Sequence, residues 1–209
     1  METKFNEKES LALISEMIEQ ARTNFQKGSG NSMIFWGWFV AFTAVMNVTL
    51  ALVLENPYIS FHIWWIMIPG QIADTFVIRK KDIKSALVKT HIDRIITAIW
   101  QGFMYSIIAF LLVIFGFAYG LKNPQIFILI NPGIMIMSGL SQFVMAKTCR
   151  FKPYFYGAVI MWIGSVCCFC VSFATPHIVI YQFLILAVCM IAGFVVPGYR
   201  LNKLSKENV

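Results

Sequence analysis

The chain has 209 residues, of which 58% are hydrophobic and 13% are charged, and its formal net charge is +7. An ordinary soluble domain has about 45 to 50% apolar and about 25% charged residues, so this composition excludes one. The excess of apolar side chains predicts an all-α protein embedded in a lipid bilayer, and the positive charge then requires no nucleic acid as a partner.

Residues 1–31 form a polar segment that is predicted to be cytoplasmic and to contain an amphipathic helix. Apolar side chains recur on one face of this helix at helical spacing, among them Leu11, Ile14, Ile18 and Phe25. The opposite face is more acidic than basic, which disfavours attraction to anionic lipid and favours contact with a protein. We therefore expect these four residues to bind a protein partner, with a position on the inner membrane surface or under the bundle as the alternatives.

Six apolar runs of 19 to 24 residues follow, and each is long enough to cross a hydrocarbon layer of about 30 Å as an α-helix. The predicted spans are 33–54, 59–78, 95–118, 125–146, 154–174 and 178–196. Helices satisfy their own backbone amides within the bilayer, and the runs lack the alternation of β-barrel strands. Residues 32–200 are therefore predicted to form a six-helix transmembrane domain, with residues 201–209 as a cytoplasmic tail.

The three predicted outer turns share a pattern in which a proline follows a small residue and precedes an isoleucine by two positions. They read Glu55-Asn56-Pro57-Tyr58-Ile59, Lys122-Asn123-Pro124-Gln125-Ile126 and Ala174-Thr175-Pro176-His177-Ile178. An aromatic-rich glycine site opens each odd span, at Gly37, Gly102 and Gly157. The spacing predicts three tandem helical hairpins that arose by duplication, and independent selection of proline at tight turns is the alternative.

The basic residues predict the orientation of the chain. Of the 17 Lys and Arg residues, Lys122 alone falls on the predicted outer side. Because short basic loops resist translocation, both termini are expected in the cytoplasm. Val88 and Ile92 continue the helical stripe of the third span inward from Ile95. This predicts that the third helix extends inward as a basic helix containing Ile83, Leu87 and His91, which is typical of a solvated anchor or a headgroup contact.

Polar residues at membrane depth are candidates for a substrate site, because they are costly to bury there. Four were selected: Gln71, Asp74, Asn131 and Gln142. Proline and glycine interrupt the second and fourth spans next to two of them, Gln71 and Asn131. Such breaks free backbone carbonyls that can line a site. The alternatives are a proline kink satisfied by neighbouring helices and, for Asp74, a contact with a headgroup or a cytoplasmic base.

The sequence carries no recognised catalytic signature, and we expect neither an enzyme nor a cofactor. Cys167-Cys168-Phe169-Cys170 contains three thiols, but adjacent helical residues point to different sides, so no metal site is expected there.

Two functions remain. The favoured one is a non-enzymatic interaction or regulatory module that engages a membrane or cytoplasmic protein, because no span centre carries the charge that ion-coupled transporters commonly need. The alternative is a small-solute transporter or the substrate-capturing subunit of an uptake system, by analogy of architecture. The sequence leaves the oligomeric state open.

The stretch from Ala21 to Gly37, which contains Lys27-Gly28-Ser29-Gly30-Asn31-Ser32, resembles the opening of an uncharacterised family of small bacterial multi-span membrane proteins. Pro197-Gly198-Tyr199-Arg200-Leu201-Asn202-Lys203 is similar to the family's ending. The resemblance covers most of the chain and implies a multi-pass protein of the bacterial inner membrane. It implies no activity, cofactor or catalytic residue.

Overall fold

The computed structural model describes residues 11, 12, 15, 29–54, 57–78, 91–174 and 178–207. The regular structure within these ranges is entirely helical, as the composition predicts. The first helix of the bundle, α1, is Ser29–Val53. The second, α2, covers residues 57–78 as a 3-10 helix (Pro57–Ile66), an α-helix (Met67–Ala73) and a π-helix (Asp74–Ile78).

The helix α3 is His91–Gly120, so of the predicted basic extension the structure describes His91 onward, and Ile83 and Leu87 lie outside the described residues. The helix α4 begins as a 3-10 helix (Pro124–Leu129) and continues as the α-helix Ile130–Thr148. The helix α5 is Lys152–Ala174. The helix α6 consists of Ile178–Met190, the π-helix Ile191–Val195 and Val196–Glu207.

Five of these helices are long and apolar enough to cross a membrane: α1, α3, α4, α5 and α6. They fit the predicted all-α, multi-pass membrane bundle. The second predicted span, 59–78, coincides with α2, which is not among the five. It consists of three short segments of different pitch and carries the polar residues His62, Gln71 and Asp74. The sixth crossing therefore stays a prediction.

The helix α6 lies at the centre of the bundle. It packs along α1 on one side and α5 on the other, and half of its most apolar stretch (50%) is buried. Aromatic contacts join it to two further helices, because the ring of Phe183 stacks at 5.4 Å on Trp64 of α2 and Phe194 lies 6.1 Å from Trp100 of α3. The helices α1 and α6 form the most extensive pair in the bundle, followed by α4 and α5.

Glycines let α6 approach its two neighbours closely at the π-helix. A Cβ atom added to Gly157 of α5 would lie 2.5 Å from the carbonyl oxygen of Gly193, and one added to Gly37 of α1 would lie 3.1 Å from the backbone nitrogen of Val195. Pro197 removes the amide that an α-helix would direct at the Gly193 carbonyl. The π-helix therefore lies between two glycine-bearing helix faces.

The start of α1 meets the end of α6 in an antiparallel crossing. The Asn202 amide donates to the side-chain oxygen of Asn31 at 2.8 Å, and a Cβ atom on Gly198 would lie 3.0 Å from the carbonyl oxygen of Gly30. We call this end of the bundle the basic end. Of the Lys and Arg residues whose side chains are described, only Lys122 lies at the other end, and the rest lie here: Arg94, Lys147, Arg150, Lys152, Arg200 and Lys203.

The predicted turn at Lys122-Asn123-Pro124 is present between α3 and α4. Lys122 has a φ of 50°, and the Asn123 side chain accepts a hydrogen bond of 3.0 Å from the Gln125 backbone amide. Pro124 occupies the first turn of the next helix, where a missing amide costs nothing. The local sequence therefore explains why the chain reverses here.

The helix α6 continues to Glu207, past the predicted boundary of the transmembrane domain at residue 200. The apolar pattern ends near Tyr199, but Leu201 is buried and the helix carries on as a polar extension. Likewise, α1 begins at Ser29, before the predicted start of its span. Helical structure thus extends beyond the apolar runs, because backbone hydrogen bonding does not stop where the membrane does.

The close crossing of α5 and α6 gives a testable difference between two glycines. We expect Gly157→Ala to lower the free energy of unfolding by about 1–3 kcal/mol, because the added methyl group overlaps a backbone carbonyl. Gly102→Ala is the matched control, since no described atom lies within 4 Å of its Cβ position. It should be neutral or stabilising by up to about 1 kcal/mol, because alanine favours helices. Denaturant unfolding in mild detergent measures both, and equal losses would contradict the crossing.

Candidate functional site

Asp74 is the first residue of the π-helix in α2, and its side chain is fully buried. One of its partners is Ser32 near the start of α1, whose hydroxyl donates to the Asp74 carboxylate at 2.5 Å. The carboxylate therefore joins α1 to α2 close to the basic end of the bundle. The roles expected for Asp74, in substrate binding or in contact with a headgroup or a cytoplasmic base, stay predictions.

Gln71 lies one turn away from Asp74 on α2, but its amide is used locally. Its side-chain nitrogen is 3.4 Å from the hydroxyl of Thr75, which in turn donates to the Gln71 carbonyl at 2.9 Å. Both contacts lie within a single helix. Gln71 is half-buried, and no described contact directs it toward the other three predicted site residues.

The proline break beside Asn131 is satisfied by neighbouring helices. Pro132 removes the amide that an α-helix would direct at the Ile128 carbonyl, and the Gln182 amide of α6 donates to that carbonyl at 3.1 Å. Ser165 of α5 donates to the carbonyl of Pro132 at 2.9 Å. Asn131 itself is buried at the start of the α-helical part of α4. This arrangement matches the alternative in which a kink is stabilised by its neighbours.

Gln182 was not among the predicted site residues, although its side-chain amide contacts three hydrogen-bond acceptors. Besides Ile128, its amide nitrogen lies 2.9 Å from the hydroxyl of Ser172 and 3.3 Å from the carbonyl of Cys168, both on α5. It therefore connects α4, α5 and α6 at the end opposite the basic end. The carbonyl freed by Pro132 was the signal in the sequence, but the sequence does not say which helix lies beside it.

Gln142 has the opposite environment. It is 1% exposed, and neither its amide nitrogen nor its amide oxygen has a hydrogen-bond partner. Its oxygen faces Gly157 of α5, which is also approached by the carbonyl of Gly193. Tyr154, one turn before Gly157, is fully buried with an unpartnered hydroxyl. Buried amides and hydroxyls without partners cost free energy, so these two side chains are the strongest polar candidates in the interior.

The four predicted site residues do not converge. Asn131 and Gln142 are 11 residues apart on α4, which is about 16 Å along the helix. Gln71 and Asp74 lie on α2, which packs against α1, whereas α4 packs chiefly against α5 and α3. No single site between the described helices contains all four.

The outward side of α3 is the largest feature that the sequence interpretation missed. Only 11% of the most apolar stretch of α3 is buried, against 33% to 50% in the other four membrane-capable helices. The side opposite its packed face carries a stripe of small residues, all exposed: Ala98, Gly102, Ala109, Gly116 and Gly120. Two exposed polar residues, Gln101 and Ser106, flank this stripe. We call this surface the α3 face.

The predicted partner-binding helix falls mostly outside the described residues. Residues 11, 12 and 15 are helical, and Leu11 is exposed, while Ile14, Ile18 and Phe25 lie outside the described residues. In the cysteine cluster, Cys168 is buried, whereas Cys167 and Cys170 are exposed. Among the described residues, no three His, Cys, Asp or Glu side chains group closely enough to hold a metal ion.

No protein-family model, curated protein or solved structure matches this chain. Its function is therefore inferred from its own side chains and their packing.

The two buried glutamines give a matched pair of substitutions. We expect Gln182→Met to lower the free energy of unfolding by about 1–3 kcal/mol, because the Ile128 carbonyl loses its side-chain donor. Gln142→Met should be neutral or stabilising, because it removes two polar atoms that have no partner. Denaturant unfolding in the same detergent compares them.

A rescue variant separates the hydrogen bond from simple packing. Replacing Pro132 by alanine restores an amide at the position that serves the Ile128 carbonyl in an α-helix. Pro132→Ala should therefore recover part of the loss in the Gln182→Met background. Equal losses for the two glutamine variants, with no recovery, would contradict this assignment.

Proposed function

We propose that this protein is a non-enzymatic interaction module of the bacterial inner membrane, which binds a transmembrane helix of another membrane protein along the α3 face. The observation that carries the proposal is the exposure of that face. Helices associate in lipid through close packing and interhelical hydrogen bonds, and small residues at an interface allow both. Small residues that face lipid tails make no close helix contact, whereas the same five residues would allow a second helix to pack closely on α3.

The polar residues beside the stripe support the same proposal. Ser106 lies 12 residues beyond Arg94, which is about 18 Å along the helix and so near the middle of a bilayer of about 30 Å. A hydroxyl and an amide directed at lipid are unfavourable, whereas a docked helix offers them hydrogen-bond partners. Gln101 and Ser106 would then give the interface its specificity.

The amino-terminal helix supplies a second contact in this proposal. Leu11, at the start of its predicted apolar face, is 66% exposed, so this face is open at the position where it is described. The amphipathic helix would bind the partner in the cytoplasm, and the α3 face would bind a transmembrane helix of the same partner within the bilayer.

In this proposal the chain crosses the membrane six times, with α2 as the additional crossing and with both termini in the cytoplasm. The gathering of the described cations at the basic end supports that orientation.

The hairpin repeat has support in the first two hairpins. Gly70 of α2 and Gly133 of α4 each follow a proline, and each receives a phenylalanine ring from the preceding helix, Phe39 and Phe110 respectively.

A small-solute carrier is the second candidate, and the observation that favours it is that the amide of Gln142 and the hydroxyl of Tyr154 are both buried without a partner. A polar solute would supply the missing partners of both groups. In this case native mass spectrometry should find a small molecule retained by the unaltered protein and lost from Gln142→Met. Retention of no solute in either protein would remove this candidate.

Substitution on the α3 face tests the interaction module. We expect Gly102→Leu to weaken the recovery of a stoichiometric membrane-protein partner by at least about tenfold, which corresponds to 1.4 kcal/mol. Stability should be unaffected, because no described atom lies within 4 Å of the Gly102 Cβ position. Affinity purification in mild detergent followed by native mass spectrometry measures both partner and stoichiometry.

Cys170→Leu is the matched control, since it enlarges an exposed small side chain on α5 instead of α3. It should leave partner recovery unchanged. A stoichiometric partner that is lost equally from both variants, or recovery of a second copy of this chain alone, would contradict the proposal.

A further inference from the structure

The turn between α4 and α5 forms a pocket of about 430 Å³ at the basic end of the bundle. Its lining combines three cationic side chains with two aromatic ones and contains no acidic residue: Ala146, Lys147, Arg150, Lys152, Phe155 and Tyr156. We call it the basic pocket. Its composition favours an anionic ligand.

The backbone of the turn holds the three cations in place. Arg150 has a φ of 49°, and the amides on either side of it are bonded, Cys149 to the Met145 carbonyl at 2.9 Å and Phe151 to the Ala146 carbonyl at 3.2 Å. Phe151 is buried and packs edge to face on buried Tyr154 at 5.1 Å. The turn is therefore anchored to the core, and its charged side chains extend from a fixed backbone.

The positive charge in the pocket has no acidic partner among the described side chains. Among the described residues, none of Lys147, Arg150 and Lys152 pairs with a carboxylate, and Lys147 instead lies 5.5 Å from the ring centre of Phe143. Helix α5 begins at Lys152, and the amino-terminal end of a helix carries a partial positive charge of its own. Both effects attract a phosphate group to this place.

An apolar groove of about 390 Å³ lies further along the same helix, between α5 and α6. Eight residues line it: Ile160, Ile163, Gly164, Cys167, Leu184, Ile185, Val188 and Cys189. Tyr156 of the basic pocket belongs to the same stripe of α5 as Ile160, Ile163 and Cys167, because these positions recur at helical spacing. The groove thus begins about 6 Å from the pocket along the helix and continues for about 10 Å more.

We propose that the basic pocket and the apolar groove together bind one anionic phospholipid, with its phosphate among Lys147, Arg150 and Lys152 and an acyl chain along the groove. A free phosphate would use the pocket alone. The apolar groove on the same stripe favours the lipid, since Ile163 and Val188 expose their side chains toward the acyl region. The site is separate from the α3 face and does not depend on the proposed helix-binding function.

The test uses the full chain in zwitterionic detergent and measures lipid binding by native mass spectrometry. The probes are phosphatidylglycerol, phosphatidylcholine and inorganic phosphate, each titrated separately. We expect phosphatidylglycerol to bind at least about tenfold more tightly than phosphatidylcholine, because only the former carries a net negative headgroup. Inorganic phosphate should bind more weakly than phosphatidylglycerol.

Two matched comparisons assign the binding to this place. The triple variant Lys147→Gln, Arg150→Gln and Lys152→Gln should lose at least about tenfold in affinity for phosphatidylglycerol. A control with Arg94→Gln, Lys122→Gln and Arg200→Gln removes the same charge from exposed positions elsewhere and should bind normally. Ile163→Trp should fill the groove and reduce binding, whereas Ile136→Trp, at a similarly exposed isoleucine of α4, should not.

Each contrary result overturns a specific part of the proposal. Equal losses in the two charge variants would mean non-specific attraction to the positive charge of the whole protein. Inorganic phosphate that competes fully with the lipid, together with normal lipid binding by Ile163→Trp, would mean a phosphate site without a lipid. If the triple variant fails to fold, the single variant Lys152→Gln and the groove variants still decide the question.

Discussion

The close crossing of α6 with α1 and α5 is the constraint on which the rest of the bundle depends. Without hydrophobic driving force between helices in lipid, close approach of backbones supplies much of the association energy. Gly37 and Gly157 allow that approach at the π-helix of α6. Pro197 interrupts the regular α-helical hydrogen bonding at this point, because it has no backbone amide hydrogen. The helix held between α1 and α5 becomes the centre of the bundle, and its far half also binds α4 through Gln182. Replacing either glycine by a larger residue would therefore disturb the position of every helix that packs on α6.

That arrangement leaves α3 at the edge of the bundle, where its outward side is available to bind a partner. The predicted hairpin repeat would make Gly102 equivalent to Gly37 and Gly157, yet no described atom lies within 4 Å of its Cβ position. A small residue that is not used inside the bundle remains available for contact outside it. The basic pocket lies on the α4–α5 hairpin, so a helix partner and a phospholipid would occupy separate surfaces of the bundle. Charge accounts for the lipid site, whereas close packing of small residues accounts for the helix site.

The helices can be predicted well from the sequence because the features that indicate them involve residues that are close along the chain. Apolar run length, the Asn123-Pro124 turn and the clustering of cations at one end all follow from neighbouring residues. The pairing of helices does not, since it depends on which residues meet across space. Gln142 and Gln182 are both buried glutamines in predicted spans, but one has no partner and the other has three. Asp74 is a candidate because it is an acidic residue at membrane depth, and its contact with Ser32 of α1 could not be predicted from the sequence.

The most direct measurement is photo-crosslinking in intact membranes with a photoreactive phenylalanine derivative in place of Leu112. This exposed residue borders the small-residue stripe, so the probe would contact a docked helix without replacing a residue of the stripe. The same derivative at Ile136 of α4 reports on a surface exposed to lipid. A single discrete protein other than this chain, crosslinked from position 112 and not from position 136, is the expected result. Lipid alone at both positions, or only a second copy of this chain, would contradict the account of α3 as a surface for a different membrane protein.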